Sequence, residues 1–302
     1  MKLPRSKLFV PGNRPERMRK AALLDADALS LDLEDAVPPD EKATARAAVV
    51  AFLGETPLRQ QTWVRINARD SGELVADLLA LAGVKVDVIN VPKAEHPRDV
   101  HLVHDLIEHL EKLPGHRGAF AIVPTIETAA GLRNALAIAQ ASPRVVALQL
   151  GSGDLRKSTG IVATVEGLRP VRVMLTLAAA EAGVGVMDSA YTDMVNAAGF
   201  EAEARDARAL GFKGKSCIHP SQVSAANAIF VPTEAEVAEA RAIVEAFDAA
   251  LLKGIGAIQV GGKLVDGPIV DDARRVLAQS GSGRQERGTG GNDMPGHEMS
   301  SD

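Results

Sequence analysis

Two carboxylates stand where short apolar runs stop. Glu127 ends Ala121-Ile-Val-Pro-Thr-Ile-Glu127, and Asp154 ends Val145-Val-Ala-Leu-Gln-Leu-Gly-Ser-Gly-Asp154. Runs this rich in Val, Ile and Leu, bounded by Gly, Pro and Thr, read as parallel strands buried on both faces. Carboxylates delivered by successive buried strands outline a site for a hard cation, which prefers oxygen ligands. Function is therefore expected where such strands end.

The same pattern fills most of the chain. Apolar runs at Leu8 to Val10, Ala28 to Leu33, Trp63 to Ile66, Val86 to Val91, Ala119 to Ile126, Val145 to Leu150, Val184 to Met187 and Ser216 to Ile218 alternate with Ala-rich segments of helical period. Eight such units predict an α/β fold, a TIM (β/α)8 barrel. A doubly wound open sheet is the competing architecture, but it calls for a Gly-rich turn after the first strand, and Pro11-Gly-Asn-Arg-Pro-Glu16 is not one. In a barrel the strand ends collect at one rim, where catalytic groups gather. That rim reads Glu34 and Asp35, then Arg65 and Asn67, Lys93, Glu127, Asp154, Asp188 and His219. Charges at the ends of buried strands cost several kcal/mol unless they are paired or hold a metal, so a barrel that served only as scaffold would not need them.

With 302 residues, 46% of them hydrophobic, the chain can bury one large core. A net charge of −5, without a dense basic run, argues against a nucleic-acid partner. No apolar stretch approaches the length that spans a bilayer and no export signal opens the chain, so a cytoplasmic protein without a membrane partner is expected. The single cysteine, Cys217, excludes an internal disulfide and fits a reducing compartment. Its neighbour His219 suggests a nucleophile pair, but a buried Cys in a strand reads better as packing, and His219 as a residue that closes the following loop.

Past the eighth strand the pattern changes. Residues 1–230 are expected to form the barrel and residues 231–279 a C-terminal helical extension acting as a lid. That extension holds a helix from Glu234 to Leu252, a hairpin turned by Gly261-Gly262, and a helix from Val270 to Ala278. From residue 280 to 302 the composition is polar and Gly-rich, which predicts a disordered tail.

Taken in order, Arg5-Ser-Lys-Leu-Phe-Val-Pro-Gly-Asn13, Asp32-Leu-Glu-Asp-Ala-Val37, Val64-Arg-Ile-Asn67, Pro92-Lys93, Pro124-Thr-Ile-Glu-Thr128, Gly151-Ser-Gly-Asp154 and Gly211-Phe-Lys-Gly-Lys-Ser-Cys-Ile-His-Pro-Ser-Gln222 resemble the successive blocks of the citrate lyase beta-subunit family, the HpcH/HpaI aldolase group that includes malyl-CoA and citramalyl-CoA lyases. The resemblance implies that Glu127 and Asp154 bind Mg²⁺, that Glu127 also meets the substrate, and that Arg65 holds a substrate carboxylate. An arginine offers the planar fork that a carboxylate fills with two hydrogen bonds. Arg65 could equally pair with Glu34 or Asp35 on the adjacent strand. The implied reaction is a Claisen-type cleavage, or its reverse, of a 3-hydroxyacyl-CoA or acyl-carrier-protein thioester such as citryl-, malyl- or citramalyl-CoA. Glu34 and Asp35 are candidates to orient water or substrate.

Gly262-Lys-Leu-Val-Asp-Gly-Pro268 matches the family block that supplies a catalytic aspartate, often across a subunit boundary, and so singles out Asp266; a turn aspartate before Gly-Pro is the plainer alternative. Arg14 and Lys20 match the CoA-binding edge, where a helix start favours phosphates, although exposed cations on a first helix also serve solubility. The resemblance further implies a homo-oligomer, a trimer or hexamer. One departure stands beside the metal block: Leu155-Arg-Lys-Ser-Thr-Gly160 replaces an Ala-rich or acidic continuation, which bears on acyl specificity. Two other activities compete with the lyase: thioester hydrolysis on the same metal site, and a non-catalytic role in a larger lyase assembly.

Overall fold

The computed structural model describes residues 1–117, 120–162 and 164–285. Each apolar run forms a strand: β1 (Ser6–Pro11), β2 (Ala28–Asp32), β3 (Gln61–Arg65), β4 (Val88–Val91), β5 (Ala121–Ile126), β6 (Ala147–Leu150), β7 (Gly185–Asp188) and β8 (Gly214–Cys217). All pair in parallel and in sequence order, and β8 returns to β1 through Ser6↔Lys215 and Leu8↔Cys217. The sheet therefore closes into a TIM barrel, and closure rules out the open doubly wound sheet. The helices that follow the strands are α1 (Pro15–Ala21), α2 (Lys42–Glu55), α3 (Leu74–Leu81), α4 (Pro97–Leu110), α5 (Ala129–Arg133), α6 (Ala135–Ala139), α7 (Ser152–Thr159), α8 (Val165–Glu181), α9 (Ala197–Ala209) and α10 (Pro220–Ile229).

Alternation along the strands sends one set of side chains outward, against the helices, and the other into the barrel. The outward set, with Leu29, Leu31, Val64, Ile89, Ile122 and Leu148, joins the helix faces in the main core. Inside, Ala28, Trp63, Val88, Val123, Ala147 and Met187 pack one apolar layer. Above it, toward the strand C-termini, the inward positions turn polar: Ser30, Asp32, Asn90, Thr125, Gln149 and Ser216 are all buried. Lys7 enters from β1 between the two layers, fully buried. Its Nζ donates to Asn90 Oδ1 at 3.2 Å and Gln149 Oε1 at 2.8 Å, and it lies 4.5 Å from the Phe9 ring and 4.9 Å from Trp63.

The chain divides into two compact units, the first Met1–Phe230 and the second beginning at Val231. In the second, α11 (Glu234–Leu251) opens on a capping box: Thr233 Oγ1 accepts from the Glu236 N–H, and the Glu236 carboxylate from the Thr233 N–H. A two-stranded hairpin of β9 (Ile258–Val260) and β10 (Lys263–Val265) follows, turned by Gly261 and Gly262, both with positive φ. Phe247, Val265 and Val270 form this unit's small core. The last helix, α12 (Gly267–Gln285), runs longer than the sequence predicts. Residues 280–285, assigned to a disordered tail, continue it, because extending an existing helix adds a hydrogen bond for each residue fixed. The rest of that expected tail lies outside the described residues.

Candidate active site at the barrel rim

Parallel pairing places Asp32 directly beside Arg65 at the ends of β2 and β3. Arg65 Nε and Nη2 donate to Asp32 Oδ1 and Oδ2 at 2.7 and 2.6 Å, a bidentate fork, while Nη1 lies 3.0 Å from Glu34 Oε2 and 3.1 Å from Asp35 Oδ2. Burial works against ionisation of Asp32, yet the Arg65 charge and hydrogen bonds, with N–H groups from Glu34 and Ala36, hold its carboxyl below the usual range. Burial likewise pulls Arg65 down, and the Asp32 charge more than reverses it. Of five guanidinium N–H groups, three donate to Asp32 and Asp35, which leaves one on each of Nη1 and Nη2. Both readings of Arg65 thus meet in one side chain: it is a structural pair, and that pairing fixes its orientation. Asp32, the last residue of β2, was not among the rim candidates because it lies within the apolar run Ala28 to Leu33. Its place opposite Arg65 needs the register, which sequence does not spell.

Glu127 follows β5 and is 4% exposed. Its Oε1 accepts the Lys93 backbone N–H at 2.6 Å, and it makes no ion pair among the described residues. Burial pushes its pKa up to about 8; Glu34 and Asp154 add to the rise, opposed by that N–H and by Arg65. Lys93 presents its amide from a φ of 50°, the left-handed region, as no other non-glycine residue described here does. Its Nζ meanwhile donates to Glu34 Oε1 at 2.8 Å. Glu34 is raised by its own burial, which Arg65 and Lys93 offset in part. Beside Glu127, Gly151 leaves needed room: a Cβ there would overlap the carboxylate and come within 2.6 Å of Glu127 Cβ. Asp154 lies in the first turn of α7, with no hydrogen bond or ion pair from its side chain among the described residues.

Both carboxylates border one cavity of about 330 Å³, also lined by Phe9, Asp35, Arg65, Gln149, Arg156 and the Ser189–Asp193 loop. The donor set suits Mg²⁺. A buried carboxylate whose charge the protein leaves uncompensated and a second, unpaired one meet in an acidic cavity, and the ion binds through one or two carboxylates plus water. No group of three or more His, Cys, Asp or Glu suited to a metal occurs among the described residues, so the arrangement is unlike an all-protein cage.

The other candidates make contacts of their own. Asn67 donates to Asp77 and shapes the β3 loop. Asp188, expected at the rim, is fully buried between Arg172 and Lys215, with Lys215 Nζ at 2.6 Å from both Asp188 and Glu203. His219 caps α10 through the Ser221 N–H. Cys217 is buried, and burial raises its thiol to about 12, which suits packing rather than nucleophilic attack. Arg14 is the exposed N-cap of α1, but Lys20 falls in that helix's last turn, so the favourable field of a helix start reaches only the first of them. Asp266, in the second unit, accepts the Val270 N–H through its carbonyl at the start of α12.

The sequence profile of the HpcH/HpaI aldolase/citrate lyase family matches residues 5–220. The citrate lyase subunit beta of Escherichia coli K12 is 39% identical over 280 residues, which cover 91% of this chain and 93% of that protein. An L-malyl-CoA/beta-methylmalyl-CoA lyase of Cereibacter sphaeroides is 36% identical, covering 91% and 94%. Among solved structures, Mycobacterium tuberculosis CitE in complex with magnesium, acetoacetate and coenzyme A superposes with a TM-score of 0.73 at 34% identity, over 91% of this chain and 97% of that one. The chain belongs to the HpcH/HpaI aldolase/citrate lyase family.

Proposed function

We propose that this chain is a Mg²⁺-dependent carbon–carbon lyase acting on a 3-hydroxyacyl thioester, of CoA or an acyl carrier protein, to give an acetyl thioester and a 2-oxo acid. The observation that carries it is the meeting of an uncompensated buried Glu127 with Asp154 and a pre-oriented Arg65 around one cavity. Relatives named as citrate lyase beta and malyl-CoA lyase, and a related structure holding magnesium with coenzyme A, support the same class. Bound by the two carboxylates, Mg²⁺ would supply Lewis-acid polarisation of the substrate oxygen that becomes the ketone. Arg65 orients the substrate carboxylate through its two remaining N–H groups, held in place by Asp32. Asp35 borders the cavity and Glu34 pairs with Arg65 and Lys93; the two orient water or the substrate, and a base takes the 3-hydroxyl proton. The C–C bond then breaks, its electrons pass into the acetyl-thioester enolate, and the methyl carbon takes up a proton.

Asp266 is the proton donor to that carbon in this reading, contributed by a neighbouring copy within a homotrimer or hexamer, with residues 231–279 as the lid. Arg14 and Lys20 contact the carrier's phosphates. Mixing inactive Asp266→Asn and Glu127→Gln chains should restore part of the activity after subunit exchange. No recovery in oligomers shown by mass to be mixed removes the shared-site arrangement. The cytoplasm, where CoA thioesters are made, is the proposed location; no described helix is long and apolar enough to cross a membrane.

A screen of CoA thioesters with Mg²⁺, resolving products by mass, tests the reaction class. Acetyl thioester plus a 2-oxo acid is expected. Free thiol without acetyl thioester would mean hydrolysis, and no turnover of any thioester would leave only the non-catalytic role.

A further inference from the structure

Among the described residues two cations border the cavity, and their surroundings differ. Arg65 is committed to Asp32, Glu34 and Asp35. Arg156, on α7 and exposed, has no hydrogen bond or ion pair from its guanidinium among the described residues. A cation in the last turn of a helix complements the dipole there, but Lys157 occupies that turn as well and does not border the cavity. The position of Arg156 on the cavity wall is thus left without a structural use. It lies two residues beyond Asp154, about 3 Å farther along the helix axis, on the wall that carries one of the two carboxylates.

We infer that Arg156 is a specificity-determining residue that binds a second carboxylate on the acyl group, the distal one of a dicarboxylic 3-hydroxyacyl thioester. The inference rests on the lyase reading above. Glu127, Asp154 and Asp193 border the cavity without an ion pair among the described residues. Mg²⁺ would offset the first two, but a second acyl carboxylate still calls for a cation of its own, because Arg65 is already shared among three protein carboxylates. The phosphates of a CoA carrier hang beyond the whole pantetheine arm, away from the wall that holds the reacting carbons, so the acyl carboxylate is the anion within reach. Arginine also supplies the planar donor pair that such a group takes up in two hydrogen bonds.

The test compares the intact chain with Arg156→Gln and Arg156→Lys; on an exposed helix face all three residues have similar helix propensity. Calorimetry at saturating Mg²⁺ measures binding of oxaloacetate, which carries the extra carboxylate, and of pyruvate, which lacks it. Kinetics compare a dicarboxylic acyl thioester with its methyl homologue. Loss of a charge-assisted pair predicts that Arg156→Gln weakens oxaloacetate relative to pyruvate about 10- to 100-fold, lowers the matching ratio of kcat/KM, and that Arg156→Lys recovers part of both. Equal loss for the two acids points to a carrier phosphate or a general field effect and overturns the assignment, as does no loss at all. If the intact chain binds neither acid, the lyase reading itself fails, an outcome distinct from either of these.

Discussion

Two clusters of charge occupy the same barrel, and they are built on opposite principles. On the β7–β8 side, Asp188, Glu203 and Asp206 meet Arg172, Lys215 and Arg169, with Arg172, Asp188 and Lys215 fully buried. Each charge there has a partner. On the β2–β6 side, Asp32, Glu34, Asp35, Glu127 and Asp154 share Arg65 and Lys93, and the surplus is negative. Both clusters pay for desolvation, but only the balanced one recovers it within the chain. The unbalanced one keeps Glu127 near the point where it loses its charge, a strain that an external cation relieves. Where a fold leaves charge uncancelled in a cavity, the missing partner is a ligand.

The comparison breaks most visibly through the surplus carboxylates. Glu127→Gln and Asp154→Asn should each abolish Mg²⁺-dependent activity and leave the urea midpoint of the metal-free protein unchanged or higher, because no protein cation loses its partner. Full activity at saturating Mg²⁺ in both variants would remove the metal assignment. The balanced cluster should behave in the opposite way. Lys215→Met leaves Asp188 and Glu203 dependent on Arg172 alone and should cost about 3 to 5 kcal/mol of stability, read from the same urea titration. A midpoint equal to that of the parent would show that the cluster does not hold the barrel together.

Arg65 belongs to both kinds of network and sharpens the contrast. Arg65→Lys keeps the charge and loses the fork to Asp32, so transition-state binding should fall by about 1.5 to 3 kcal/mol in kcat/KM. Kinetics indistinguishable from the parent would reduce Arg65 to a structural role.

The smallest expected effect concerns Lys7, a buried cation with no carboxylate contact. Burial, assisted by the nearby Arg65 charge, depresses its pKa well below 10.5. Between the folded value and 10.5 the unfolded chain binds the extra proton, so this group makes stability rise with pH through that window and penalises the fold below it. Lys7→Met should remove that slope. Its stability relative to the parent should therefore be greater at pH 7 than at pH 10, and an equal difference at both would show that Lys7 has an ordinary pKa.

Much of this was legible in the chain. Apolar runs mark every barrel strand to within two residues, most clearly where both faces are apolar; β8, Gly-Lys-Ser-Cys, is the weakest, since its polar residues serve the barrel interior and an ion cluster. Glu127 and Asp154 were readable because a carboxylate after an apolar run has to be explained. The Asp32–Arg65 fork was not readable, since it arises from register between strands whose sequence separation is 33 residues. Asp188 misled, because a rim position and a buried ion cluster look alike until α8 and α9 deliver Arg172 and Glu203 to it. Lys7 and Lys215 were hidden inside strands as single cations; alternation turns Lys7 into the barrel and Lys215 outward to Glu203 of α9, once the face of each strand is known. Arg156 lay in a segment noted only as a departure, and its place on the cavity wall depends on where α7 begins.

Gly151 gives the site an asymmetric mutational history. Any side chain at this position occupies the volume of the Glu127 carboxylate, yet the surrounding strands, helices and apolar layers do not depend on that carboxylate. A substitution there displaces a carboxylate the cation needs and also presses on Glu127 Cβ and Thr125 Cγ2 of the buried wall, so loss of the cation comes with a cost to the fold from overpacking. A lineage drifting toward a purely structural role could take that step, but to return it would need the one residue that has no side chain.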